Sequence, residues 1–359
     1  MSHRTKAVFA AAVAVLAIPA SASASAATKT VLMGTPPSDA KTFQNKYGTD
    51  VNAFFPKTTT IHAGDSVRFT PVGFHNADLP KKGGAPTQAN LPTGQKVAGA
   101  ADAAAAAFWF NGQDVVGFNP AMLKSGFGKK FSYTGAKAVN SGLPLSNKPK
   151  PMTVKFAKAG SYTFYCDLHP GMKGTVKVLG KGKSVPSAKA DAKRVKDQVA
   201  SALAVAKKLS STTPPAGTVD AGVAGKGGVE YFGMVPATTT VPVGTTLTFR
   251  MSPGSYESHT TTFGPGDAEK DPSSYLGALA KSFESPSPDP IAVYPSEMPG
   301  SLATLTPTLH GNGFWNSGVM DLDSATPLQP SSKVTFGAPG TYTYYCLIHT
   351  NMKGTVVVQ

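Results

Sequence analysis

The sequence predicts an all-β protein of two sandwich-like domains joined by a helix, and three observations carry that reading. The first is a tandem repeat: "YTFYCDLHPGMKGTVKV" from Tyr162 returns as "YTYYCLIHTNMKGTVVV" from Tyr342, 180 residues on. Upstream, "FFPKTTTIHAGDSVRFT" lines up with "GMVPATTTVPVGTTLTFR", with Phe69 and Phe249 at the same offset. The second is period-two alternation of Val, Thr and Phe in both copies, broken by Ala-Gly-Asp or Val-Gly-Thr turns, the pattern of half-buried strands. The third is a change of character between the copies, where the spacing becomes helical. A chain of 359 residues also exceeds what one core usually holds.

Taken in order, residues 1–26 have a cationic start, an apolar run and A-x-A-type small residues, which reads as a cleaved Sec-type signal peptide. No later segment is long and apolar enough to span a bilayer, so export to the periplasm or the medium as a soluble protein is expected. Residues 27–180 form the first domain. Its insertion is expected to hold a short helix at Ala100–Ala107 and then the aromatic patch "FWFNG" at Phe108. Residues 181–225 form the linker, in which Val195, Val199, Leu203, Ala206 and Leu209 predict a helix over Ser187–Leu209, stopped by Pro214-Pro215 and lying against a domain. Residues 226–359 form the second domain, with a helix expected at Asp271–Phe283 and a second patch, "FWNSG", at Phe314. Both patches are expected to pack over the open end of a sandwich.

The formal net charge is +14, concentrated in residues 27–180, where 18 Lys/Arg face 7 Asp/Glu; residues 226–359 are net acidic. Scattered lysines without a recognition helix, finger or RNA-binding signature argue against nucleic acid. Such charge is ordinarily a solvated surface; its functional reading is electrostatic steering of an acidic partner or of an anionic surface toward the first half.

The chain has two cysteines, Cys166 and Cys346, each in a C-x-x-H-x-x-M frame. An exported protein invites a disulfide between them. The alternative is a metal loop, because a thiolate, an imidazole and a thioether form a soft set suited to copper once a second imidazole is added. For the first copy that histidine is His62 or His75, and Pro242 stands at the position equivalent to His62.

At these residues both copies resemble the cupredoxins, the blue (type 1) copper family that includes plastocyanin and amicyanin. One His follows an early strand, and Cys, His and Met follow on the loop between the last two strands. The resemblance implies Greek-key sandwiches and one type 1 copper per domain. The implied ligands are His75, Cys166, His169 and Met172 in the first and His259, Cys346, His349 and Met352 in the second. It implies single-electron transfer to a redox partner protein, with His169 and His349 as surface exits beside Pro170-Gly171 and Thr350-Asn351. Asn76 would tie the two ligand loops together, a role that Thr260 in the second copy puts in doubt. An enzymatic alternative, as in copper nitrite reductases and multicopper oxidases, lacks the His before the copper Cys, where Tyr165 and Tyr345 stand, and lacks any His-x-His pair. It would need His310 at an unusual second metal site. Copper storage or delivery is the third reading.

Overall fold

The computed structural model describes residues 26–324, 326 and 328–359. The expected leader falls outside them up to residue 25. In the first half one sheet runs, in spatial order, Phe54–Phe55, Thr28–Met33, Ser66–Pro71, Met152–Phe156 and Lys130–Tyr133. The facing sheet runs Val139–Asn140, Asp78–Leu79, Gly160–Tyr165, Lys173–Leu179 and Thr58–His62. The second half repeats both orders. Its sheets are Val229–Val235, Thr218–Gly225, Thr246–Met251, Ser331–Phe336 and Ala303–Leu305, opposite Trp315–Asn316, Thr262–Phe263, Gly340–Tyr345, Lys353–Val358 and Thr238–Val241. Two Greek-key β-sandwiches result, as the repeat requires.

The alternation seen in the sequence sets the cores. Met152, Val154 and Phe156 point inward on one strand, and Phe69 meets Phe164 edge to face with centroids 5.0 Å apart. Phe249 and Tyr344 repeat that contact at 5.3 Å. Each fully buried side chain of this size contributes about 1.5–3 kcal/mol of transfer free energy.

Three elements depart from expectation. Thr218–Gly225, assigned to the linker, is a strand in the middle of a second-half sheet, pairing parallel with Thr246–Met251. Ala100–Ala107 is no helix. Asp102 Oδ1 accepts the N–H groups of Ala104 and Ala106, and Ala101 bridges Ala107, closing a tight loop too short to repay helix nucleation. The first insertion holds instead a hairpin of Asn90–Lys96 and Asp114–Phe118. The helix of the second insertion is Tyr275–Ser282, capped by Ser274 Oγ from Gly277 N–H, while Asp271 folds onto Ser273.

The linker helix, Ala188–Leu209, starts at the Ser187 cap and buries Val199, Ala202, Ala206 and Leu209. It packs in one cluster with Val223, Val229 and Val235 of the second half and Phe43, Val51 and Phe55 of the first. The halves interlock elsewhere too. Thr49–Val51 adds a strand to the second sandwich, with Val51 opposite Val229. The patch at Phe108 crosses over as well: Phe108 and Phe110 pack with Leu276, Phe314 and Leu347, and Trp109 Nε1 donates to the Pro295 carbonyl at 2.9 Å. Its aromatics therefore cover the other sandwich rather than their own. Among the described residues no helix is long and apolar enough to cross a membrane.

Candidate metal centres

Each Cys-His-Met loop is a tight connection between two paired strands. In the first half, Cys166 N–H donates to the Met172 carbonyl at 3.0 Å and Met172 N–H to the His169 carbonyl at 2.9 Å. The matching bonds in the second half, Cys346 to Met352 and Met352 to His349, measure 2.9 and 2.8 Å. The remaining histidine arrives from the loop after the strand Ser66–Pro71, or Thr246–Met251, and a glycine makes room for it. A Cβ on Gly34 would meet the His75 ring at 2.8 Å, and one on Gly222 would meet His259 Nε2 at 2.5 Å. Both glycines have positive φ, which glycine adopts without steric cost.

The structure brings together His75, Cys166 and His169, and separately His259, Cys346 and His349, with the donor atoms of each set within 4.8 Å of one another. Cys166 Sγ lies 3.3 Å from His169 Nδ1 and 3.9 Å from His75 Nδ1, and the two ring nitrogens are 3.0 Å apart. In the second set Cys346 Sγ is 3.8 Å from His349 Nδ1 and 3.7 Å from His259 Nδ1, with the two Nδ1 atoms 3.1 Å apart. Met172 and Met352 are buried in the same core clusters as their cysteines. Both cysteines are free. His62 stands apart, with Nε2 against the Lys183 carbonyl.

His310 does not offer an open metal site. Its Nδ1 contacts Asp102 Oδ2 at 2.9 Å and its Nε2 contacts Glu297 Oε1 at 2.8 Å, so both nitrogens are engaged on opposite edges of the ring. Asp102 belongs to the first half, which makes this a clamp between the halves.

The surroundings of the two centres differ. Asn76 Oδ1 accepts Asp167 N–H at 2.8 Å and its Nδ2 donates to Asp167 Oδ2 at 2.7 Å, joining the first pair of ligand loops. Thr260, which put this tie in doubt for the second copy, also joins its ligand loops: its Oγ1 accepts Leu347 N–H at 2.8 Å, and its own N–H points at Cys346 Sγ at 3.4 Å. Burial, then repulsion from His169, pushes His75 down to about 3. Burial opposes the charged form of His259 as well, but the Cys346 sulfur and the Glu230 carboxylate, 3.8 Å from Nε2, overcome it and raise His259 to about 10. Burial likewise opposes the Cys346 thiolate, and the two adjacent imidazoles win, holding Cys346 well below the usual thiol range.

The residue that sequence reasoning missed is Glu257. It is buried between the centres, with Oε1 3.3 Å from His169 Nε2 and Oε2 3.7 Å from His349 Nε2. Burial disfavours its charge, yet His169, then His349 and His259, hold its carboxyl far below the ordinary range. The only signal was an acid two residues before a candidate ligand, where the first copy has Gly73. For His169 the expected surface exit is corrected by this contact, while His349 stays partly exposed. His169 is buried, and the ring of Tyr256 stands where a Cβ on Gly171 would go, at 2.4 Å. Both histidines line a cleft of about 1210 Å³ between the halves, with exposed Phe74 and Leu145 on its wall.

Comparison with known proteins finds a family match over part of the chain. Residues 40–179 match the copper binding proteins, plastocyanin/azurin family. No curated protein sequence matches the chain. Among solved structures, the oxidised plastocyanin of Dryopteris crassirhizoma is 24% identical over 40% of this chain and 99% of its own, with a TM-score of 0.21. A reduced Cu(I) amicyanin mutant is 18% identical over 41% and 86%, with a TM-score of 0.22. A purple cupredoxin from Nitrosopumilus maritimus is 17% identical over 40% and 98%, with a TM-score of 0.19.

Proposed function

We propose that the chain is an exported electron carrier holding one type 1 copper in each sandwich. The observation that carries this is the double convergence of a cysteine with two histidines on one loop geometry, built twice from the same spacing. His75, Cys166 and His169 would hold one ion and His259, Cys346 and His349 the other, with Met172 and Met352 as weak axial donors. A trigonal His₂Cys set with a distant thioether lies between the preferences of Cu(I) and Cu(II), so bound copper would supply a one-electron couple with little rearrangement. The chain's own part is to prefix that geometry. The loop hydrogen bonds, the Asn76 and Thr260 ties and the buried surround fix the donors before the metal arrives. A redox partner protein reaches the pair through the cleft between the halves, and the basic first half favours an acidic one. Export rests on the character of residues 1–26.

The test is copper counting with a visible spectrum on protein purified and supplied with copper. Two coppers per chain and an intense thiolate-to-Cu(II) band are expected. A colourless protein under excess copper overturns the reading.

A further inference from the structure

We propose that Glu257 joins the two centres into one redox unit, passing electrons between them within a single chain along His169, its carboxylate and His349. The proposal rests on the copper reading above and goes beyond it, since nothing in a one-domain carrier calls for such a residue.

The geometry is specific. In both rings Nδ1 faces the cysteine of its own centre and Nε2 faces Glu257, so each imidazole spans from a sulfur on one side to the shared carboxylate on the other. With Nδ1 turned to its own cysteine, each ring leaves Nε2 facing the carboxylate, most closely from His169 at 3.3 Å. The gaps in the path are therefore one contact of 3.3 Å and one of 3.7 Å. A buried carboxylate is costly unless paired and hydrogen-bonded. Here the pairing partners are these two imidazoles, and Asn52 Nδ2 fixes Oε1 at 2.7 Å. Asn52 comes from the first half, so both halves hold the bridge in place. Tyr256 beside Gly171 and Phe232, whose ring lies 4.9 Å from that of His349, pack around it. The second half alone supplies the acid. Its ligand loop is longer, so that His75 and His259 stand 184 residues apart where the cysteines stand 180 apart.

The step is balanced within the chain. One centre loses an electron and is oxidised, and the other gains it and is reduced. No bond forms or breaks, and Glu257 keeps its charge throughout.

The experiment starts from full-length protein already shown by copper counting to hold two ions, so that failure of the copper reading is seen separately and first. A pulse of radical reductant delivers less than one electron per chain, and the redistribution between centres is followed by absorbance and by paramagnetic resonance on freeze-quenched samples at several protein concentrations. A first-order phase whose rate does not change with concentration is expected. Glu257→Leu should keep both coppers and lose that phase, whereas Glu257→Gln, which still offers an oxygen to one imidazole, should keep part of it. If wild-type redistribution scales with protein concentration, electrons move only between molecules and the proposal falls, whether or not the variants fold. An unchanged phase in a folded Glu257→Leu protein overturns it equally.

Discussion

The two centres share a loop and differ in what surrounds it. Their closing hydrogen bonds agree to 0.1 Å, yet His75 is pushed down to about 3 while His259 is raised to about 10. The second centre owes this first to the Cys346 sulfur and then to Glu230, a buried acid that the first centre does not have beside its histidine. The first centre carries its polarity on the cysteine side, in Asp167, Asn76 and Asn140. There burial and the neighbouring Asp78 raise the Asp167 carboxyl to about 7. The donors repeat from one half to the other, and the electrostatics around them differ. Two reduction potentials are therefore expected, which is what a directed transfer between the centres requires.

The sharpest way to break this comparison is to remove one centre at a time. Cys166→Ser and Cys346→Ser should each abolish the altered site and leave about half of the blue absorbance, because each thiolate serves one trigonal set. Loss of all colour from either single change would mean that one centre cannot form without the other. Glu230→Gln asks a finer question. Removing one buried charge close to His259 disfavours the more positive oxidation state there, worth about 2 kcal/mol at an effective dielectric of ~20, or roughly 100 mV. Voltammetry should show the second potential rising and the first holding still. Equal shifts at both would assign Glu230 to the whole unit.

The smallest effect belongs to the clamp between the halves. Carboxylates Asp102 and Glu297 face His310 from two sides, Phe108 and Phe314 pack on its ring, and the Glu297 contact leads in raising its pKa, with burial opposing. A histidine with a raised folded pKa stabilises fully below its unfolded value of about 6.5 and loses that contribution as pH rises through the folded value. His310→Ala should cost on the order of 1–3 kcal/mol at pH 6, as for hydrogen bonds to charged groups, and much less at high pH. Denaturant midpoints measured at both pH values check this. A penalty independent of pH would mean that the ring acts by packing alone.

Much of this was legible in the sequence because periodicity and repetition report local physics. Alternating apolar residues gave the strands, Ser187 and the Val195-to-Leu209 stripe gave the linker helix, and the doubled Cys-x-x-His spacing pointed at both triads. What could not be read is what depends on how the halves meet. Ala100–Ala107 has helical composition but is folded by Asp102 and His310 at the interface. Thr218–Gly225 looks like linker until its partners Thr246–Met251 and Val229–Val235 are placed beside it. Glu257 carries no periodicity, and its meaning lies in two histidines 88 residues upstream and 92 downstream.

The strand Thr49–Val51 has a consequence for how such a chain can change. Val229–Val235 borders its sheet, and an uncovered border strand is a template for pairing with any other chain. Here the first half supplies the cover, with Val51, Asp50 and Thr49 opposite Val229, Glu230 and Tyr231. The two halves are thus not interchangeable modules. A second half cut free would expose that border and self-associate, so neither half is available to recombination as a separate part, and they are constrained to diverge together.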